Sequence, residues 1–362
     1  RLAEISDYIY RNPELGNEEY KAVEALTTFL KEHGFEIECP YSGMNTAFKA
    51  TFDSGKEGMT VGYLCEYDAL PKIGHGCGHN MIGVMSAGAG VVLSKVLSEI
   101  GGKIIVYGTP AEETNGGKVI LAEAGVFDEL DAAMIVHPDG ETRASGTSSA
   151  LCPIRFIYKG KTAHAASCPE KGINALNSVI QLFNGIDALR QHVTPDVRMH
   201  GIITKGGVAA NIVPDEAIAD FYFRASTKER VTEVVEKVKR IAEGAALMTG
   251  ATLEMERYEL PYDDLKTNET LSEIFNSNLR ELGITDIKEA KVTGGSSDIG
   301  NVSHVAPTIH PYIGVTDCPM VGHSVEMANL TITSKAHDRL LIAALAMAYT
   351  GHDIIVRNES LR

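Results

Sequence analysis

The sequence of 362 residues has few basic side chains for its size. Lysine and arginine number 33 against 48 aspartate and glutamate residues, which leaves a formal charge of -15. Because nucleic-acid binding needs clustered lysine and arginine, this balance argues against a nucleic-acid-binding surface. It does not exclude a small anionic substrate, since one well-placed arginine can bind such a molecule.

The six cysteines form no Cys-x-x-Cys pair and are scattered at positions 39, 65, 77, 152, 168 and 318. A disulfide framework is therefore not expected, and reduced thiols favour a cytoplasmic protein. The chain also lacks an apolar run of about 18 residues and a basic, apolar leader, so we expect no membrane span and no secretory signal. Hydrophobic residues make up 44% of the chain, which is enough for a sizeable core.

Strand and helix patterns alternate through residues 1–150. Three short apolar runs predict strands, at 59–64, 103–108 and 132–136. Helical patterns lie between them, at 80–100 and 117–124. This order predicts an α/β domain with a mostly parallel sheet and helices on both faces.

The pattern changes near residue 150. From 151 to 262 the predicted order is β-α-β-β-α-β, as in a ferredoxin-like α+β module. Two helices and a strand follow, at 271–282, 334–349 and 308–312. The simplest architecture is a discontinuous domain of residues 1–150 and 263–362 into which the module of 151–262 is inserted. Three consecutive units are a less economical alternative.

A glycine-rich turn before the helix at 80–100 carries Cys77 and His79 in the sequence Gly-Cys-Gly-His-Asn. A thiolate and an imidazole two residues apart can bind one metal ion. The alternative is a buried cysteine beside a histidine that caps a helix. The glycines favour metal binding because they let the backbone approach a ligand closely.

Two adjacent carboxylates, Glu112 and Glu113, follow the strand at 103–108. One can bind a metal ion while the other transfers protons, although acidic residues are also common at the start of a helix. The turn of Cys77 and this pair both follow strands. Ligands of an open α/β sheet bind at the carboxyl ends of its strands. The combination predicts a metal-dependent hydrolase.

Two histidines extend the set of candidate ligands. His137 ends the apolar run 132–136, and His323 stands in Val-Gly-His-Ser, although either could be an ordinary loop histidine. The candidate ligands are then Cys77, His79, Glu113, His137 and His323. Five ligands are too many for one tetrahedral ion with an open position, but they fit two ions that share a water.

Three residues of the module 151–262 are candidates for contact with a ligand: His164, Asn211 and Arg224. His164 has small neighbours, and an arginine at a strand end can bind a carboxylate through two parallel hydrogen bonds. Spacing alone does not distinguish the three from ordinary polar residues of the surface.

Taken in order, these motifs resemble the aminoacylase and glutamate-carboxypeptidase family of metallopeptidases. The similarity is greatest to its amidohydrolase branch, which contains auxin-conjugate hydrolases, hippurate hydrolase and aminobenzoyl-glutamate hydrolase. It covers nearly the whole chain and includes the segments 12–16, 66–71, 75–80, 108–113, 160–166, 211–214 and 296–303.

The resemblance implies two divalent metal ions per subunit, manganese or zinc, at the five candidate ligands, with Glu112 as general base. It implies that Asp68 orients a metal-binding histidine. The inserted module would be the lid and dimerisation domain of a homodimer, in which His164 reaches the partner subunit's site and stabilises the oxyanion. Asn211 and Arg224 would hold the substrate carboxylate.

Two departures bear on the substrate. The auxin-conjugate members usually have Asp where Asn80 stands, and many members have Asp where Glu66 stands. Both features look more like the aminobenzoyl-glutamate hydrolase and β-alanyl-dipeptidase-like proteins. We expect cleavage of an amide bond in an N-acyl amino acid or dipeptide with a free carboxylate. The alternatives are a catalytically silent dimeric binding protein on the same fold and a hydrolase with Cys77 as nucleophile.

Overall fold

The structure is a computed structural model that describes residues 1–292, 295–316, 318, 320–358 and 361. The chain divides into two compact units. The first comprises Arg1–Thr147, Leu265–Thr293 and Ser297–Arg362, and the second comprises Ser148–Asp264 and Gly294–Ser296. The sequence prediction placed its domain boundaries after residues 150 and 262, and the roles that it gave to the domains stay predictions.

The elements follow the chain in three stretches. The first stretch contains α1 Leu2–Arg11, α2 Tyr20–Glu32, β1 Glu36–Glu38, β2 Phe48–Asp53, β3 Thr60–Cys65, α3 His79–Ile100, β4 Lys103–Gly108, α4 Gly117–Glu123, β5 Ala132–Met134 and β6 His137–Asp139. The second unit contains β7 Ala150–Lys159, α5 Ala175–Leu189, β8 Arg198–Lys205, β9 Glu216–Ala225, α6 Lys228–Thr249 and β10 Thr252–Glu256. The last stretch contains α7 Glu269–Glu281, α8 Ile299–Ser303, β11 Thr308–Ile309, β12 Tyr312–Gly314, α9 Val325–Leu330 and α10 Ser334–Arg357.

The main sheet of the first unit has the strand order β1-β2-β4-β3-β5-β11. The strands β4, β3, β5 and β11 pair in parallel, whereas β1 and β2 add an antiparallel edge. The predicted α/β fold with a largely parallel sheet is confirmed. The sequence prediction did not include β1 and β2, although the inner strand β2 begins with an alternation of buried and less buried residues.

Helix α3 lies at the centre of the first unit and packs against β3, β4 and α10. Its sequence is apolar or small on nearly all sides, and a helix of that kind is stable only when it is buried. The buried residues of α3 include the first two, His79 and Asn80. The main core therefore extends to the predicted metal-binding turn.

Two helices, α3 and α10, are long and apolar enough to cross a membrane by length and composition. The sequence expectation of no membrane span required an uninterrupted apolar run and did not anticipate them. Within the protein, 78% of the apolar window of α3 and 56% of that of α10 are buried. Core helices pass the same test, so these helices are weak evidence for a membrane.

Two strands predicted as single elements are interrupted. The run 132–136 is a strand only to Met134, and the chain then forms β6 from His137. The predicted strand 308–312 is divided into β11 and β12, with His310 and Pro311 between them. Proline has no N–H to continue a ladder. After the break β6 and β12 pair with each other in parallel, with His137 opposite Tyr312.

The second unit has a four-stranded sheet in the order β10-β7-β9-β8, with every pair antiparallel. Together with the β-α-β-β-α-β sequence of its elements, this confirms the predicted ferredoxin-like module. Helices α5 and α6 pack against the sheet. The valines at 231, 234, 235 and 238 of α6 are buried there, as their helical spacing predicts.

Candidate metal centre and catalytic residues

The turn of Cys77 and His79 connects β3 to the start of α3. Gly78 within it has a left-handed backbone with φ of 82°. A β-carbon at this position would also collide with Cγ of Pro138. Only glycine satisfies both constraints. The turn therefore packs directly against the segment that carries His137.

The side chains of this turn meet His137. Sγ of Cys77 lies 3.3 Å from Nε2 of His137, and Nδ1 of the same ring lies 2.7 Å from the carbonyl oxygen of Pro138. Because a carbonyl can only accept, Nδ1 carries the proton and Nε2 directs a lone pair toward the cluster. Ligand atoms of Cys77, His79 and His137 lie within 4.8 Å of one another.

The carboxylates that follow β4 complete the cluster. Oε1 of Glu113 lies 3.3 Å from Nε2 of His323 and 4.0 Å from Nε2 of His79. Two more groups have ligand atoms within 4.8 Å of one another: Cys77 with Glu113 and His323, and His79 with Glu112 and Glu113. The structure thus brings together all five candidate ligands and Glu112.

Asp68 contacts two of these residues. Its Oδ1 lies 2.9 Å from Nδ1 of His79, and its Oδ2 accepts a hydrogen bond of 2.9 Å from the backbone N–H of Glu113. The contact with Nδ1 turns Nε2 of His79 toward the other ligands. Burial alone would favour the neutral ring, but Asp68 and Cys77 raise the pKa of His79 well above its ordinary value.

Glu112 lies in a strongly negative environment. Burial raises the pKa of Glu112 well above its ordinary value, and the charges of Glu66 and Asp298 raise it further. The hydroxyl of Ser297 donates a hydrogen bond of 2.8 Å to Oε1 of Glu112. A carboxylate with a raised pKa is a better acceptor for a proton from water.

A buried ionic network adjoins the cluster, and the sequence analysis missed it. Nζ of Lys118 lies 2.6 Å from Oε1 of Glu66 and 2.7 Å from Oδ1 of Asp298, and none of the three side chains is more than 2% exposed. The other oxygen of Glu66 lies 3.4 Å from Nε2 of His79. The one available signal was a lysine in the apolar helix predicted at 117–124, because a buried lysine is almost always paired.

A second residue missed from the sequence is His310. Its ring lies 5.5 Å from that of His137, centroid to centroid, and 5.1 Å from that of Tyr312. Burial lowers the pKa of His310, so the ring is neutral beside the cluster. It follows directly after the short strand β11, and a strand prediction that continued through it hid its position.

The residues of the cluster fit divalent metal ions. Nε2 of His79 and Oε1 of Glu113 are buried and have no hydrogen-bond partner among the described residues, a state that buried polar atoms rarely keep. Burial raises the pKa of the Cys77 thiol to about 12, although His79 lowers it in part. The thiol therefore keeps its proton unless a cation takes its place. Sulfur and imidazole ligands suit zinc, and carboxylates suit manganese.

Within the second unit, the structure brings His164 and Asn211 together. Nδ1 of the exposed His164 accepts hydrogen bonds from the backbone N–H groups of Ala166 and Ser167, at 3.2 and 3.1 Å. Nε2 therefore carries the ring proton and can donate it to another group. The carbonyl of Asn211 accepts a hydrogen bond of 3.0 Å from Ala165, directly after His164.

Arg224, near the end of β9, is half-buried. Its Nη1 donates a hydrogen bond of 2.7 Å to the hydroxyl of Ser296, and its guanidinium lies 5.6 Å from the ring centre of Tyr222. Among the residues that the structure describes, no carboxylate pairs with Arg224. No hydrogen bond joins it to His164 or Asn211 within the described part of the second unit.

The fold and the cluster define a metal-dependent amidohydrolase. Residues 150–248 match the peptidase dimerisation domain of the M20 family. The chain is 37% identical over 378 residues to the Xaa-Arg dipeptidase of Mus musculus, which covers 99% of this chain and 86% of the mouse protein. It is 29% identical over 429 residues to a p-aminobenzoyl-glutamate hydrolase of Escherichia coli K12, with coverages of 97% and 88%.

The fold agrees with a solved structure from Bacillus subtilis, a dinuclear metal-binding peptidase of the M20 family. The TM-score is 0.72 at 20% sequence identity, with 97% of this chain and 98% of the other covered. The chain belongs to the M20 family of peptidases. The resemblance inferred from the motifs is thereby confirmed, as is the prediction of a hydrolase that acts on amide bonds.

Proposed function

We propose that this protein hydrolyses the amide bond of a dipeptide or an N-acyl amino acid whose leaving amine belongs to an amino acid with a free carboxylate. The observation that carries the proposal is the place of Glu112 beside the ligand cluster, where His79, Glu112 and Glu113 offer atoms within 4.8 Å of one another. A carboxylate at this position can act on a water while its neighbour Glu113 binds metal.

The proposed ligands of two divalent ions are Cys77, His79, Glu113, His137 and His323. Two overlapping groups support two ions rather than one, since Cys77 belongs both to the group with His137 and to the group with His323. When bound, such ions polarise a scissile carbonyl and lower the pKa of water. Zinc and manganese both suit this set of ligands.

In the proposed reaction Glu112 takes a proton from the attacking water and delivers it to the departing nitrogen. The hydrogen bond from Ser297 orients its carboxylate. Asp68 holds the ring of His79 and the backbone of Glu113, so that a ligand and the residue beside the base keep a fixed relative position.

The second unit would complete the site in a homodimer. The match of residues 150–248 to a dimerisation domain supports such a dimer. The exposed Nε2–H of His164 supports a role as oxyanion donor for the partner subunit. Arg224 would bind the substrate carboxylate with Asn211, and its lack of a carboxylate partner among the described residues supports this role.

The relatives indicate two substrate types to compare. Similarity to a Xaa-Arg dipeptidase favours a dipeptide with a C-terminal arginine, and similarity to a p-aminobenzoyl-glutamate hydrolase favours an N-acyl glutamate. Both types share the free carboxylate next to the scissile amide. We therefore assign the shared feature and leave the choice of acyl group to a substrate panel.

A hydrolase with Cys77 as nucleophile is favoured by one contact, the 3.3 Å between its Sγ and Nε2 of His137. The thiol pKa of about 12 opposes this function, because the thiolate is the nucleophile. Chelation followed by addition of zinc or manganese separates the two reactions. A metal-dependent enzyme loses and regains turnover, whereas a cysteine hydrolase keeps it. A silent binding protein would show no turnover in any state.

The test of the substrate class uses steady-state rates for Xaa-Arg dipeptides, N-acyl glutamates and their carboxyl-amidated forms. We expect amidation of the carboxylate and Arg224→Ala each to lower kcat/KM by about a hundredfold, and the two changes not to add, because both remove one interaction. Arg198→Ala is the matched control, since Arg198 lies opposite Arg224 on β8 and is exposed. Equal cleavage of amidated and free substrates would show that the substrate class is wrong.

A further inference from the structure

The turn that carries the proposed base contains a residue in an unfavourable conformation. Ala111, between Pro110 and Glu112, has φ of 62° and is fully buried. Left-handed backbone is uncommon for a residue with a β-carbon, and it persists only where the surroundings hold it. The positions of Glu112 and Glu113 follow directly from this backbone.

Both backbone groups of Ala111 are held. Its carbonyl oxygen accepts hydrogen bonds from the N–H groups of Asn115 and Gly116, at 3.2 and 2.8 Å. Its own N–H donates a hydrogen bond of 2.8 Å to Oε1 of Glu19, which lies 92 residues earlier in the chain. The first contacts are local to the turn, whereas the contact with Glu19 fixes the turn to another part of the unit.

The segment before Glu19 also packs on the turn. A β-carbon on Gly16 would lie 2.9 Å from both Cα and Cβ of Ala111 and would collide with the hydroxyl of Thr114. Glycine is therefore required at position 16 for the close approach. Two residues earlier, the carbonyl of Glu14 accepts a hydrogen bond of 2.8 Å from Ala69, next to Asp68.

Glu19 itself is completely buried, just before α2 begins. Burial raises the pKa of Glu19 to about 7, so the site favours a protonated acid near neutral pH. Either form of the carboxyl group, and equally an amide, offers an oxygen that can accept from Ala111. Its neighbour Glu18 is exposed and makes no such contact in the described structure.

We propose that Glu19 is a positioning residue of the reaction: it holds Ala111 in the left-handed conformation and thereby sets where Glu112 and Glu113 lie. The proposal rests on the proposed roles of these two residues. A displacement of about 1 Å at a catalytic group can cost a hundredfold in rate, so a single backbone hydrogen bond is enough to matter.

The experiment compares Glu19→Ala, Glu19→Gln, Glu19→Ala with Ala111→Gly, and the control Glu18→Ala. We expect Glu19→Ala to lower kcat about tenfold to a hundredfold and to weaken zinc binding several-fold in chelator competition, with KM changed by less than about threefold. Glu19→Gln should stay within about threefold of the wild type in both measurements. Glu18→Ala should match the wild type.

The decisive variant is the double one. Glycine adopts positive φ without steric cost, so Ala111→Gly should restore at least about fivefold of the kcat lost in Glu19→Ala, together with part of the zinc affinity. If neither Glu19→Gln nor Ala111→Gly recovers the loss, Glu19 serves only the fold and the proposal is wrong. Wild-type kcat and zinc affinity in Glu19→Ala would overturn it equally.

Failure of the proposed function would look different. If Glu112→Gln, measured in parallel, kept its activity, then the role of Glu112 would be wrong. The zinc affinities of the Glu19 and Ala111 variants, which depend on Glu113, would still report whether Glu19 positions the turn.

Discussion

Oδ1 of Asp68 lies 2.9 Å from Nδ1 of His79, with both side chains no more than 1% exposed. The other oxygen of this carboxylate accepts from the backbone of Glu113, so one side chain links two proposed ligands that lie on different segments. The cluster is thus shaped before any ion binds. The pKa of Asp68 is below its ordinary value, since His79 and the N–H of Glu113 outweigh the effect of burial.

Asp68→Asn should lower metal affinity about tenfold to a hundredfold, because loss of a partner that orients a metal-binding histidine typically has this effect. An asparagine has one oxygen and cannot accept from both His79 and Glu113. Chelator competition with zinc measures the change. Asp53→Asn, which alters an exposed ion pair with Lys103, is the control. Full metal affinity in Asp68→Asn would contradict the linking role.

Lys118→Met should lower the free energy of unfolding by about 3–5 kcal/mol, since it leaves the buried carboxylates of Glu66 and Asp298 without their cation. Urea unfolding of the metal-free protein measures this. The exposed Lys95→Met on α3 should change stability by no more than about 0.5 kcal/mol. A Lys118→Met protein as stable as that control would mean that the network contributes no net stability.

Glu19→Gln should gain stability relative to the wild type as the pH rises. The pKa of Glu19 is about 7 in the folded protein against an ordinary 4.5. Between these values the folded state keeps a proton that the unfolded chain has released, so the wild type is stabilised below 4.5 and loses this stability as the pH rises to 7. Glutamine does not titrate and loses nothing.

The expected change in the difference between the two proteins is on the order of 3 kcal/mol between pH 4.5 and 8. Urea unfolding of both proteins at each pH measures it, and titration of groups far from Glu19 cancels in the comparison. A difference that does not vary with pH would show that Glu19 has an ordinary pKa.

Mixing two inactive homodimers tests action across the dimer. A heterodimer of His164→Ala and Glu112→Gln subunits has one site with both groups if His164 acts on its partner's site. At equal amounts and full exchange we expect about a quarter of wild-type activity, because half of the dimers are mixed and each has one complete site. Absence of recovery after proven subunit exchange would place His164 in its own subunit's site or outside catalysis.

The sequence predicted the parts of the fold that depend on local patterns. The helices α3 and α6 and the strands β4 and β9 have strong apolar periodicity and were found with few errors at their ends. The breaks at Met134 and Ile309 were not predictable in this way. They depend on the pairing of β5 with β11, which are far apart in the chain.

The candidate site shows the same division. Cys77, His79 and Glu113 lie in turns and at strand ends, where the sequence itself marks a ligand-binding edge. Lys118 gave little sign of its role, because one of its partners, Asp298, lies 180 residues away. Ala111 gave none, since a left-handed alanine is set by Glu19 and Gly16 and not by its own preference.

The most direct test of the central claim is the turnover and metal content of Glu112→Gln. Glutamine keeps the size of the side chain and an oxygen for the hydroxyl of Ser297, but it cannot take a proton from water. We expect kcat to fall about a hundredfold to ten-thousandfold, with the metal content of the purified protein unchanged. Half of wild-type turnover, or loss of metal together with activity, would contradict the role of Glu112 as general base.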